Sequence, residues 1–242
     1  MRTRAEMKEA ARDLMEGNAG KLTQVVAVPG VIFLIFNMLI PHLSGILTRS
    51  LGQTTFTSAF SSIALICFYL SLLAVIQTGM GVFATFVEFS ETRNAEVLTI
   101  KNAFRYCSPK GWLVFKIFFM ERLYMFMSLI FLLFGPIIAV QRAYAYSMSI
   151  YNVLHAKTYY GLKTNDYLTL SRLQMHGYKG ALFELDFSFL FWGFLGILTC
   201  GLGYLWIGPY QILTRIEFYK DIDALFKEKY QIAEGGSKIR PA

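Results

Sequence analysis

Charge is scarce in this sequence. Asp, Glu, Lys and Arg make up 16% of the 242 residues, against 55% hydrophobic ones, whereas a soluble globular domain carries about a quarter charged residues. Such a composition excludes an ordinary soluble domain, and a membrane protein is expected. The three cysteines, Cys67, Cys107 and Cys200, form no CxxC and have no evident partners, so neither a disulfide framework nor a zinc site is expected. His42, His155 and His176 lie far apart, outside any HExxH or i, i+4 pair, which removes the usual signals of a metal centre. GxSxG, GxxxxGK[ST] and GxGxxG are all absent, and with them the common marks of serine hydrolases, P-loop proteins and dinucleotide binders. The N-terminus is charged and amphipathic, without a short apolar core and small-residue cleavage site, so no cleaved signal peptide is expected. We expect no catalytic residue, cofactor or metal, and no enzyme.

What the chain does have is basic residues in alternate gaps between apolar stretches. Arg2, Arg4, Lys8, Arg12 and Lys21 precede the first stretch, and only Arg49 follows it. Arg93, Lys101, Arg105 and Lys110 fill the next gap, none stands at Gly135 and Pro136, and Lys157, Lys163, Arg172 and Lys179 fill the one after. The turn from Cys200 to Gly203 is uncharged, and the tail holds Arg215, Lys220, Lys227, Lys229, Lys238 and Arg240. Because basic loops stay cytoplasmic, the pattern predicts six spanning helices with both termini inside. The net charge of +7 is divided among these gaps rather than gathered on one face, which argues against nucleic acid. Anionic lipid headgroups at the cytoplasmic face are the expected partners.

A span needs about 20 residues, and the expected spans are 25–47, 60–86, 112–134, 136–155, 181–200 and 203–222. Residues 1–227 thus form one all-α polytopic bundle, and 228–242 a flexible cytoplasmic tail. The segment 136–155 is the least apolar, with Gln141, Arg142, Tyr144, Tyr146 and Tyr151; it is retained because without it the Lys157 to Lys179 loop would be external. Three cytoplasmic segments carry apolar residues at helical spacing: Met7, Ala10, Ala11 and Leu14; Val97, Leu98, Ile100 and Phe104; and Tyr167, Leu168, Leu170 and Leu173 after a candidate cap at Asp166. They read as interfacial helices. Each leads through a glycine, Gly20, Gly111 or Gly180, into a span. Two accounts stay open: three tandem units of amphipathic helix and transmembrane hairpin, or the inner linkers that any even-numbered topology produces.

From Ser171 the chain reads SRLQMHGYKGALFELDFSFLFWGFLGILTCGLGYLWIGPYQILTRIEFYKDI. This closely resembles the C-terminal signature of the domain of unknown function 975 family, six-helix membrane proteins frequent in Gram-positive bacteria. Gly17 with Asn18, the Gly135 and Pro136 break, and the tyrosine-rich Ala143 to Ser149 stretch match it as well. The break departs from the family's frequent isoleucine, proline and glycine, reading FGPII here. The resemblance implies a six-helix fold and a bacterial cytoplasmic membrane, and brings no catalytic residues. The family is also distantly similar to the membrane domain fused to some glycerophosphodiester phosphodiesterases.

Charges at bilayer depth are functional suspects, since each costs roughly 2.5 to 3.5 kcal/mol to insert. At about 1.5 Å per residue, Glu121 and Arg122 lie roughly 15 Å above the inner face and Arg142 about 21 Å above it, within reach of one another. By the same count, Asp186 at roughly 9 Å and Arg215 at about 12 Å can pair across the last hairpin. These five residues form the candidate intramembrane polar cluster, either as ion pairs locking hairpins or as the lining of a polar cavity. The expected function is non-catalytic: binding, moving or protecting against lipids or other amphiphiles, alone or as accessory to a protein partner. The alternatives are a small-solute transporter and a membrane enzyme acting on a lipid-linked substrate.

Overall fold

A computed structural model describes residues 1–51, 58, 62, 78–105, 111–129, 135–154, 162–199 and 202–230. Among them every regular element is helical. Most of the expected span 60–86, the tail beyond 230, the three cysteines and His155 lie outside the described residues.

Helix α1 (Arg4–Met15) opens on a capping box: Thr3 Oγ1 accepts the Glu6 amide at 3.3 Å, and the Glu6 carboxylate accepts the Thr3 amide at 2.6 Å. Gly17, with φ +74°, takes the left-handed conformation that stops a helix and turns the chain into α2 (Ala19–Leu51). Residues 78–92 form α3, and a 3₁₀ turn at Ala95–Val97 leads to α4 (Ile100–Ala103). A side chain at Gly81 would collide with the Ala103 carbonyl, so this glycine allows α3 and α4 to touch. Then come α5 (Trp112–Leu129) and α6 (Gly135–Tyr146). Pro136 sits in the first turn of α6, where its missing N–H breaks no helical bond.

The expected helix 136–155 is interrupted at Ser147 and Met148 before α7 (Ser149–Leu154). In α8 (Thr164–Gln174), Asp166 is not the cap but the third helical residue, its carboxylate accepting the Lys163 amide at 3.0 Å. Gly177, at φ +89°, hands over to α9 (Lys179–Phe187), then α10 (Leu190–Leu198) and α11 (Tyr204–Tyr230). The last helix runs eight residues past its expected end at 222.

The α1–α2 and α8–α9 corners are two copies of one design. Both read Met-x-Gly-x-x-Gly, from Met15 to Gly20 and from Met175 to Gly180. Counting the same steps from each motif, Met7 and Tyr167, Ala11 and Ser171, Leu14 and Gln174, Leu22 and Leu182, and Val25 and Leu185 are all buried. The pattern of burial coincides through two helices and the corner between them, so the two corners repeat one local structure.

α11 is the central post, with α1, α2 and α10 packed on it, while α5 pairs with α6 and α8, and α9 lies on α6. The main core draws on α1, α2, α3, α9 and α11; a second cluster joins Ile117, Tyr146, Tyr167, Leu168, Leu170 and Phe226. This corrects the expectation of interfacial helices at both corners. Met7, Ala11, Leu14 and Met15 of α1, and Tyr167, Leu168 and Leu170 of α8, are buried in the protein core, while Leu173 of the expected α8 face is exposed. Helical spacing reports an apolar face without saying what covers it.

Large apolar side chains stand exposed on α2, α5, α9 and α10. Among the described residues one helical stretch, Lys179–Leu198, is long and apolar enough to cross a membrane by length and composition, and 22% of its apolar window is buried. Phe187, Leu190, Phe191, Ile197 and Leu198 all point outward. Trp192 is half exposed there too. On α2, Ile35, Met38 and Leu39 are likewise exposed.

Candidate functional site

A cavity of about 630 Å³ opens between α3, α5, α6, α9 and α11. Met80, Phe83, Phe118, Val140, Ile150 and Leu182 make its walls apolar. Four of the five expected polar residues line it: Glu121, Arg122, Asp186 and Arg215. Their positions follow from helical phase, since Glu121 projects from the α5 face that also carries buried Val114 and Ile117.

Asp186 and Arg215 meet across the cavity wall through two parallel bonds, Nε to Oδ1 at 2.8 Å and a terminal guanidinium nitrogen to Oδ2 at 2.7 Å. This fork-to-fork geometry is the strong form of a charged hydrogen bond. Asp186 is mostly covered while the Arg215 side chain remains 40% exposed, so the pair belongs both to the packing and to the cavity. On the opposite wall the Glu121 carboxylate is buried, 3.5 Å from Ser149 Oγ and 3.7 Å from the Arg122 guanidinium. Arg122 also lies over the Phe118 ring, 4.7 Å from its centre. The cavity thus offers hydrocarbon walls and two carboxylate–guanidinium pairs. This arrangement suits a molecule with a greasy body and a polar end.

Arg142 is not part of this cluster. Its guanidinium donates to the Tyr124 carbonyl at 3.0 Å and turns into a second pocket beside α8. Depth along a helix gives a level and no direction around it, which is why the count from Pro136 placed Arg142 with Glu121.

Sequence reading missed two polar networks. Within the bundle, Asn152 Nδ2 donates to Gln174 Oε1 at 2.6 Å, Gln174 Nε2 donates to Asp223 at 3.3 Å, and Lys227 closes the chain on Asp223 at 2.8 Å. The signal was present: Gln174 occupies the register position that Leu14 holds in the first copy. At the end of α11, Arg2 bonds Asp221 at 2.7 Å and Glu217 at 3.0 Å, while Lys220 bridges Glu217 and the Ser90 carbonyl, each at 2.8 Å. The hydrogen bond to Asp221 raises the Arg2 pKa above its ordinary value, against the opposing effect of burial. Lys8 stands 4.6 Å above the Phe189 ring, and burial lowers its pKa. Arg2 and Lys8, read from sequence as headgroup contacts, are therefore engaged by the protein itself.

No group of His, Cys, Asp and Glu among the described residues could hold a metal ion. No curated protein and no solved structure matches the chain. The family model described as Protein of unknown function (DUF975) matches residues 49–225, well over half of the sequence, and the chain belongs to that family.

Proposed function

We propose that this is a six-span, non-catalytic protein of a bacterial cytoplasmic membrane, with both termini inside, whose bundle binds, moves or protects against lipids or other amphiphiles. Acting alone or as accessory to a protein partner, it takes the amphiphile into the cavity between α5, α6, α9 and α11. The membrane reading is supported by the outward aromatic and aliphatic face of α9 and α10: a core helix of a soluble domain would be mostly buried, and a leader would lie near the N-terminus, whereas Lys179–Leu198 does neither. Trp112 and Trp206, both exposed, suit the two membrane interfaces. Arg2 bonded to Asp221 sets the N-terminus beside the C-terminal half of α11, which agrees with termini on one side.

The observation that carries the amphiphile reading is the cavity itself, an apolar chamber with two charge pairs and no clustered acids or histidines of the kind hydrolytic chemistry uses among its described lining. Ala143 lines it without standing in either charge pair, so Ala143→Phe fills the space and spares the pairs. Native mass spectrometry of the purified chain should detect a bound amphiphile in the wild type and lose it in Ala143→Phe at unchanged melting temperature. Equal occupancy in the two proteins would remove the cavity from the account.

A further inference from the structure

The second pocket, between α5, α6, α8 and α9, has a composition opposite to the first. Arg142 reaches it from α6, Arg172 from α8 and Lys179 from the start of α9; Gln141, Asn165 and Thr169 complete its polar lining. No carboxylate stands among the described lining residues. In the first cavity each guanidinium comes with a carboxylate; here three cations converge on a volume of about 550 Å³, and none forms an ion pair among the described residues. Like charges that share a pocket repel, and an entering anion relieves that repulsion.

Arg142 is held in place by its bond to the Tyr124 carbonyl, and the Tyr124 and Tyr146 rings, with centres 6.1 Å apart, back the pocket. Guanidinium groups match phosphate oxygens in pairs, and lysine adds a point charge. The volume is that of a small-molecule site, about 300–1,000 Å³, rather than a socket for a bare ion.

We propose that this pocket binds a phosphate-bearing anion, with Arg142, Arg172 and Lys179 as the ligating cations. Basic pockets between helices at the cytoplasmic side of membrane proteins commonly hold phospholipid headgroups, and the same chemistry would accept free phosphate. The site is separate from the amphiphile cavity; its assignment to the cytoplasmic side rests on the topology proposed above, through Arg172 and Lys179 of the inner linker, and sets Arg142 nearer the inner face than the count of about 21 Å from Pro136.

The repeat supplies a matched control. Arg12 stands in α1 where Arg172 stands in α8, is exposed as Arg172 is, and does not line this pocket. The purified full chain in neutral detergent is scored by native mass spectrometry for retained phosphatidylglycerol, and by calorimetry for inorganic phosphate. Arg172→Gln and Lys179→Gln should each lower retention about tenfold, as expected for one charge-assisted bond to an anion, while Arg12→Gln leaves it unchanged. Arg142→Gln also loses the Tyr124 bond, so the other two variants decide the matter. Wild-type binding of inorganic phosphate that Arg172→Gln abolishes assigns the site to free phosphate. Phosphatidylglycerol retention without phosphate binding assigns it to a lipid headgroup. Equal losses in Arg172→Gln and Arg12→Gln, or no loss in either, would overturn the proposal.

Discussion

Asp186 gives both carboxylate oxygens to Arg215, and each residue is the other's principal neutralising partner in an apolar setting. Replacing one of them strands the opposite charge. Asp186→Asn or Arg215→Gln should therefore cost about 2 kcal/mol each, a figure kept modest because Arg215 retains access to the cavity. The double variant should regain most of the loss, since the two residues share one interaction. Melting temperatures of both singles and the double in detergent give the coupling directly, and strictly additive losses would show the bonds to be energetically idle. Level along the chain was enough to bring this pair together from sequence, because the helical stretch Lys179–Leu198 and α11 follow one another closely. Arg142 also follows its partner helix closely in the chain, but its direction depended on the Tyr124 carbonyl of α5, which no sequence pattern announces. The Asn152, Gln174 and Asp223 chain was hidden for a related reason: the three residues lie on α7, α8 and α11, and only the tertiary fold makes them neighbours.

At the scale of elements, the amphipathic helix at each corner and the apolar segment after it were legible, because apolar spacing is a local property, whereas the cap expected at Asp166 falls three residues earlier, at Lys163. What covers the apolar face was not legible, since water-averse residues serve a protein core and a bilayer surface equally well. The structure decides for the core, and Met7 tests the decision. Met7→Ala should destabilise the protein by about 2–5 kcal/mol, read as a lower melting temperature in detergent where no bilayer is present. An unchanged melting temperature would return α1 to the membrane surface. The cap adds a pH dependence of defined sign. Bonds from Thr3 hold the Glu6 pKa below its ordinary value, so the contribution is present above the unfolded-state pKa and is lost as pH falls through the lower folded-state value. The same melting series taken into the acid range should lose this increment in the wild type and show no such loss in Glu6→Gln.

For the whole molecule, the repeat and the charge alternation bear on the same question of threading. The two corners share one pattern of burial, and each leads from a basic linker into an apolar element; if both linkers lie on one side, an even number of crossings separates them. The six-span threading meets this with four, provided residues 52–77 and α3 together return the chain after α2, and α6 with α7 does so after α5. The interruption at Ser147 and Met148 makes the fourth expected span the critical one, since a helix of α6's length alone, 12 residues at about 1.5 Å each, covers about 18 Å and falls short of the bilayer. α7 must extend it. Reporters fused after Lys110, after Lys163 and at Ala242 should all score cytoplasmic, and one inserted near Gly52 external. An external score at Lys163 alone would mean that α6 and α7 enter and leave by one face; the second corner would then be inverted relative to the first, and the pocket formed by Arg142, Arg172 and Lys179 would face the opposite side of the membrane.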